Sequence, residues 1–254
     1  MRYVQKLSAR ITQTGSSLCV GLDPRFDLIP GNAETFLRRV IEETVPFAAA
    51  FKPNIAYFEQ LGSAGIQLLE KVLAFIPTEV PVILDVKRSD IGETQSAYAS
   101  AYFKNWNVDA VTLNPFLGFD SLEPFLDFPG KGIYLLAVTS NAGAADIQLQ
   151  RCLADGRFVF EYVQDMARRA AGRETDVGLV VGLTNASPEI LSRIDDHPLL
   201  VPGLGAQGGE IRALRGPRKA PNVVNVSRGI LYAEPDLNYR EKARRWANLL
   251  KKNF

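Results

Sequence analysis

The chain has a single histidine in 254 residues, His197, set before Pro198 in a polar stretch. A Ser-His-Asp triad or a multi-histidine metal site is therefore unavailable, and acid or base chemistry falls to Asp, Glu, Lys or Tyr. Cysteine is nearly as scarce. Cys19 lies in an apolar run and Cys152 in a segment expected to be helical, with no spacing that suggests a disulfide framework or a metal site. An excess of one charge is missing too: 29 Lys plus Arg stand against 28 Asp plus Glu, a net of +1. Such a balance gives no broad cationic field for nucleic acid or anionic lipid, so the expected partner is a small molecule. Apolar runs such as 177–183 stop far short of the roughly 20 residues needed to span a bilayer. The first seventeen residues space Val4, Leu7 and Ile11 along one helical face and lack the apolar core and cleavage site of a signal peptide. They read as a leading helix in a soluble, cytoplasmic protein.

What is present is a repeating alternation. Apolar, β-branched runs fall at 18–22, 47–51, 80–84, 110–113, 133–138, 177–183, 199–204 and 223–226. Segments with helical spacing separate most of them, at 34–45, 58–75, 91–106 and 158–171, and 237–254 reads as a closing helix. Near-continuous apolar strands suit a parallel sheet covered on both faces. Eight such units in a chain of this length predict an α/β fold, a (β/α)8 barrel with an N-terminal leading helix, occupying residues 1–254 as one domain. An open doubly wound sheet is the alternative.

In such a barrel the chemistry is assembled from the loops that follow the strands. The strand ends here are polar: Asp23-Pro24-Arg25, Lys52-Pro53-Asn54, Asp85 and Lys87, Asn114-Pro115, Thr139-Ser140-Asn141, Thr184-Asn185, Pro202 with the glycine-rich stretch to Gly209, and Ser227-Arg228-Gly229. The third carries the most information. Strand side chains alternate faces, so Asp85 and Lys87 point the same way, and Lys52 comes from the adjacent strand. Burying such charges costs several kcal/mol per ion before their attraction is counted, which favours chemistry, although a plain structural ion pair remains open.

Glycine lets backbone approach a ligand, and an arginine fork matches phosphate oxygens. The glycine-rich stretch after the seventh strand and Arg228 after the eighth stand where this fold most often holds phosphate, although each alone reads equally well as a turn or a solvated side chain. Asp90 has a structural reading as well: with Glu93 three residues on, it forms a capping-box pattern at a helix start. Thr94 would then be a helix-surface hydroxyl.

With Asp85-x-Lys87-x-x-Asp90-Ile91-x-x-Thr94 preceded by Lys52 and followed by Gln207 and Arg228, the chain resembles the orotidine 5′-phosphate decarboxylase family over nearly its whole length. The wording of 84–94, together with Pro202-Gly203-x-Gly205-Ala206-Gln207-Gly208-Gly209, is most similar to the second bacterial subfamily. The resemblance implies a homodimeric barrel that converts orotidine 5′-phosphate to uridine 5′-phosphate and carbon dioxide in de novo pyrimidine biosynthesis, with no metal or organic cofactor. It maps a Lys-Asp-Lys-Asp array onto Lys52, Asp85, Lys87 and Asp90, with Asp90, Ile91 and Thr94 entering from the neighbouring subunit. Asp23 and Lys52 are implied to bind ribose hydroxyls, Ser140 the pyrimidine, and Gln207 and Arg228 the phosphate. Pro202 joins the substrate-binding set, with Asn114 a further candidate. Ser227 departs from the glycine that relatives often carry before the arginine.

Three competitors share parts of this pattern. Sugar-phosphate decarboxylases and aldolases of the same barrel group use Asp-x-Lys-x-x-Asp with magnesium, held by an acidic residue where this chain has Lys52. A Schiff-base aldolase needs a lysine able to lose its proton, whereas Lys87 lies between Asp85 and Asp90. A non-catalytic nucleotide-binding barrel would keep Gln207 and Arg228 without needing the charged array.

Overall fold

A computed structural model describes residues 1–202 and 218–252. The elements run α1 (Tyr3–Thr14), β1 (Leu18–Leu22), α2 (Ala33–Thr44), β2 (Ala50–Pro53), α3 (Ala56–Glu59), α4 (Gly62–Phe75), β3 (Ile83–Arg88), α5 (Gly92–Ser100), β4 (Ala110–Leu113), α6 (Glu123–Leu126), β5 (Gly132–Val138), α7 (Val159–Arg169), β6 (Asp176–Val181), α8 (Pro188–Ser192), β7 (Leu199–Pro202), β8 (Asn222–Val226), α9 (Arg228–Leu231) and α10 (Tyr239–Lys251). The eight strands are parallel in the order β2-β1-β8-β7-β6-β5-β4-β3. Two bridges, Phe51 to Val82 and Asn54 to Asp85, join the outer strands β2 and β3. The sheet therefore closes into the expected barrel, and the open sheet is excluded.

Alternation along the strands sorts the interior into layers. Cys19, Ile83, Ala110, Tyr134, Leu200 and Val223 form a buried cluster inside the barrel, which Tyr3 and Leu7 of α1 complete. Two residues further along the same strands stand Gly21, Lys52, Asp85, Thr112, Pro202 and Asn225. The lower layer is apolar, whereas Lys52, Asp85, Thr112 and Asn225 bring polar and charged groups to the upper one, at the C-terminal mouth. The larger apolar cluster lies between the strands and the surrounding helices.

The leading helix is a plug. Tyr3 and Tyr134 share a hydrogen bond of 3.0 Å between their hydroxyls inside the barrel. Asp176 at the start of β6 accepts from the Val4 amide and the Arg2 guanidinium, Lys6 pairs with Asp109 at 2.6 Å, and Arg10 donates to the carbonyls of Val45 and Ala48. Gly132 lets Tyr3 approach: a Cβ there would stand 2.4 Å from Tyr3 Cδ1.

Several boundaries differ from expectation for local reasons. The run at 47–51 becomes a strand only at Ala50, because Val45–Phe47 forms a 3₁₀ turn around Pro46. The third strand starts at Ile83 and runs on through Asp85 and Lys87 to Arg88, beyond the expected 80–84. The helix expected over 58–75 breaks at Leu61, whose backbone is not helical, and restarts at Gly62 with φ +60°. The helix expected over 91–106 ends in a π turn, Ala101–Asn105. Cys152 is not helical; it sits in a turn closed by the Arg151–Phe158 bridge, and its amide donates to the Arg157 carbonyl.

Gly132→Ala is expected to displace Tyr3 from the floor and to cost about 1–3 kcal/mol of stability, as overpacking of a tight core does. Urea unfolding measures it, and an unshifted midpoint would mean that α1 does not seal the barrel.

Candidate active site

The site is organised around Asp85, near the C-terminal end of β3. Its side chain is only 9% exposed, yet it carries three donors. Lys52 Nζ donates to Oδ2 at 2.8 Å, while Lys87 Nζ at 2.6 Å and Thr112 Oγ1 at 2.8 Å donate to Oδ1. Lys52 is buried on β2, whereas the Lys87 side chain is half exposed at the mouth. Lys87 takes φ +46°, a left-handed conformation that costs a non-glycine residue roughly 1–2 kcal/mol. Strain of this kind clusters at functional sites.

Burial penalises the Asp85 carboxylate, but the Lys52 and Lys87 ammonium groups outweigh it and hold its pKa well below the ordinary 3.8. Burial likewise disfavours the Lys52 ammonium, but Asp85 and Asp23 outweigh it and hold that pKa above the ordinary 10.5. Both groups are ionised at neutral pH. The alternating charge keeps them so.

Beside this array opens a cavity of about 620 Å³. Its walls bring together six of the expected residues, Asp23, Lys52, Asp85, Ser140, Pro202 and Arg228, from the ends of six strands. Asp23 Oδ1 is buried with no hydrogen-bond partner among the described residues, an acceptor directed at a site rather than at the fold. Arg228 opens α9 and forms no ion pair among the described residues. Ser140 is framed by Asn185, whose Nδ2 donates to the carbonyls of Thr139 at 2.8 Å and Asn141 at 2.7 Å. Tyr232, one turn beyond Arg228, ties the first loop to the last: its hydroxyl donates to the Asp23 carbonyl at 3.0 Å and accepts from the Arg25 amide at 2.6 Å.

Other expected residues stand apart. Asp90, Ile91 and Thr94 do not line this cavity, and Ile91 is 61% exposed. The capping box of Asp90 and Glu93 does not form: Ile91 is the N-cap of α5 without a side-chain cap, and Asp90 Oδ1 accepts from the adjacent Ile91 amide. Asn114 is absent from the lining as well. Its Oδ1 accepts from the Phe116 amide and caps a 3₁₀ turn. Gln207 and the glycine-rich stretch lie outside the described residues.

Sequence reasoning missed Thr112, Asn225, Tyr57 and Tyr232. The first two carried a signal, since each is a polar residue set within an apolar run, Thr112 in 110–113 and Asn225 in 223–226; the tyrosines carried none. A second cavity of about 500 Å³, lined by Lys6, Glu70, Trp106 and Asp109, opens near the N-terminal ends of β3 and β4 and holds no comparable array. Among the described residues, no group of three or more His, Cys, Asp or Glu side chains could hold a metal ion. No helix there is long and apolar enough to cross a membrane.

Comparison with known proteins agrees with this geometry. Residues 16–245 match the family described as Orotidine 5'-phosphate decarboxylase / HUMPS family. An orotidine 5′-phosphate decarboxylase from Herpetosiphon aurantiacus is 40% identical, with 96% of this chain and 95% of that protein covered. One from Roseiflexus castenholzii is 42% identical over 99% and 96%. The solved structure of Leishmania donovani OMP decarboxylase superposes with a TM-score of 0.85 at 35% identity, covering 99% of this chain and 98% of that one.

Lys52→Met leaves the buried Asp85 with one ammonium partner and is expected to cost about 3 kcal/mol in urea unfolding. A variant as stable as the parent would remove the pair from the energetics. Because the Asp85 pKa is depressed, its stabilisation is complete above 3.8 and lost as pH falls below that value. The raised Lys52 pKa gives a stabilisation that is complete below 10.5 and lost above it. Unfolding midpoints should therefore decline on both sides of this window, and Asp85→Asn should make the acid side shallower.

Proposed function

Since the chain belongs to the orotidine 5′-phosphate decarboxylase / HUMPS family, we propose that it decarboxylates orotidine 5′-phosphate to uridine 5′-phosphate in pyrimidine biosynthesis. The observation that carries this reading is the Lys52-Asp85-Lys87 array: Lys52 and Asp85 line a cavity that Arg228 also lines, and Lys87, outside that lining, bonds to Asp85. The same reading takes the whole chain as one barrel domain working in the cytoplasm.

Breaking the bond from ring carbon 6 to the carboxylate releases carbon dioxide and leaves an electron pair in the ring plane, where the π system delocalises it poorly. Stabilisation must come from outside the ring. Lys87 supplies a fixed positive charge where the pair develops and then gives its proton to carbon 6, after which solvent restores the ammonium. Asp85 faces the departing carboxylate, and two like charges about 4 Å apart repel by roughly 4 kcal/mol at an effective dielectric near 20. Lys52 and Lys87 offset much of that charge, so transition-state stabilisation is the main contribution and ground-state stress the smaller one.

The remaining roles follow the cavity wall. The unpartnered Asp23 Oδ1 suits a ribose hydroxyl, with Lys52 beside it. Ser140 meets the pyrimidine, Pro202 adds apolar wall, and Arg228 with Gln207 takes the phosphate. Phosphate binding remote from the ring supplies energy that a closing loop converts into exclusion of water, so Arg228 matters to rate as well as affinity.

Cofactor independence belongs to the proposal. A magnesium-dependent member of this barrel group needs a carboxylate where Lys52 stands, and an ammonium repels a divalent cation. A homodimer belongs to it too, with Asp90, Ile91 and Thr94 serving a second copy's site; their absence from the lining of their own cavity and the exposure of Ile91 support this reading.

Purified protein given orotidine 5′-phosphate is expected to release uridine 5′-phosphate at a rate unchanged by EDTA, and Lys87→Ala to lose on the order of 10²- to 10⁴-fold in kcat. Activity abolished by the chelator and restored by magnesium would point instead to the metal-dependent group. For the shared site, Asp90→Asn and Lys87→Ala chains, each nearly inactive, should regain activity when mixed and allowed to exchange subunits, one intact site per mixed dimer. No recovery despite demonstrated exchange would place Asp90 in its own chain's site.

A further inference from the structure

We propose that Thr112 is a positioning residue of this site, its hydroxyl clamping the Asp85 carboxylate and the bulged backbone of Lys87 so that the ammonium group is held at the reacting carbon. The inference rests on the decarboxylase reading above.

It starts from register. β3 and β4 pair Leu84 with Val111 and then Arg88 with Leu113, so three residues of β3, Asp85, Val86 and Lys87, face the single residue Thr112. A bulge of this size leaves main-chain amides without ladder carbonyls. Thr112 Oγ1 takes their place, accepting from the Val86 amide at 3.1 Å and the Lys87 amide at 3.0 Å. An amide only donates, so both lone pairs of the hydroxyl oxygen are committed. Its one proton is left for Asp85 Oδ1, 2.8 Å away. Thr112 is 1% exposed, which leaves no solvent to replace any of the three bonds.

One oxygen thereby fixes two things that catalysis needs together. It sets the Asp85 carboxylate from below while Lys52 and Lys87 bond it from the sides. It also holds the Lys87 amide in a segment whose left-handed φ of +46° no ladder bond supports. Arg88 fastens the other end of the bulge, donating to the Tyr102 hydroxyl at 2.7 Å and pairing with Glu59. Serine would supply the same three bonds, whereas valine would keep the shape and supply none.

The test compares Thr112→Val, Thr112→Ser and Thr112→Ala with the parent. Misplacing a reacting group by an ångström costs on the order of 100-fold, so Thr112→Val should lose about that in kcat while KM for orotidine 5′-phosphate stays within about threefold. Thr112→Ser should keep kcat within about fivefold of the parent. A valine variant with parental kcat overturns the proposal, and so does a serine variant as slow as valine, which would make the methyl group the important one. Should valine fail to fold, alanine replaces it, and alanine turning over as fast as serine overturns the proposal equally. Amide hydrogen exchange at Val86 and Lys87 reads the clamp without turnover: protection in the parent and in Thr112→Ser, lost in Thr112→Val or Thr112→Ala. Equal protection in all of them overturns the clamp. A parent that protects both amides yet turns over no orotidine 5′-phosphate condemns the decarboxylase reading instead.

Discussion

Everything at the mouth of this barrel depends on one carboxylate kept ionised where water barely reaches it. Asp85 stands on β3 and its buried partner Lys52 on β2, so their bond crosses the seam that closes the barrel. That seam has two isolated main-chain bridges, at Phe51 and Asn54, where other neighbours are joined by continuous registers of two to six pairs. The ion pair thus sits where the backbone ladder is interrupted. Removing either partner leaves a buried charge uncompensated, which makes the array indivisible even though a hydrophobic pair would cost less to bury.

The layers below and above divide the labour. The lower layer is apolar, sealed from beneath by Tyr3 and Leu7, and its stability supports the polar layer over it. Leucines, valines and Tyr134 pack there with no need for solvent, while two residues further along their strands Lys52 and Asp85 bring in charge. Such a gradient lets a strained element survive: the left-handed Lys87 and its bulge are carried by neighbours that have no strain of their own.

The loops around the cavity are tied to one another rather than standing alone. Tyr232 connects the segment after β8, where Arg228 lies, to the main chain of Asp23 and Arg25 after β1. Asn185 after β6 braces the loop that presents Ser140 after β5. On the reading proposed here, contacts at the phosphate end and at the ribose end share a mechanical link. Asp90, Ile91 and Thr94 lie outside the lining of this cavity.

The sequence by itself determined the class and several residues of the cavity wall. Eight apolar runs separated by helical spacing already describe a parallel barrel, because strand and helix periods are local properties of side-chain direction. Asp23, Lys52, Asp85, Ser140 and Arg228 of the cavity wall were legible as strand-terminal polar groups for the same reason. What only the tertiary structure decided depends on contacts between distant strands. The bulge opposite Thr112, the helix break at Leu61, the turn around Cys152 and the failure of Asp90 to cap α5 leave no periodic trace. The Tyr3–Tyr134 pair and the Tyr232 latch join residues more than a hundred positions apart, and only barrel closure brings them within a hydrogen bond. Local pattern sets which face a side chain takes; closure sets what it meets there.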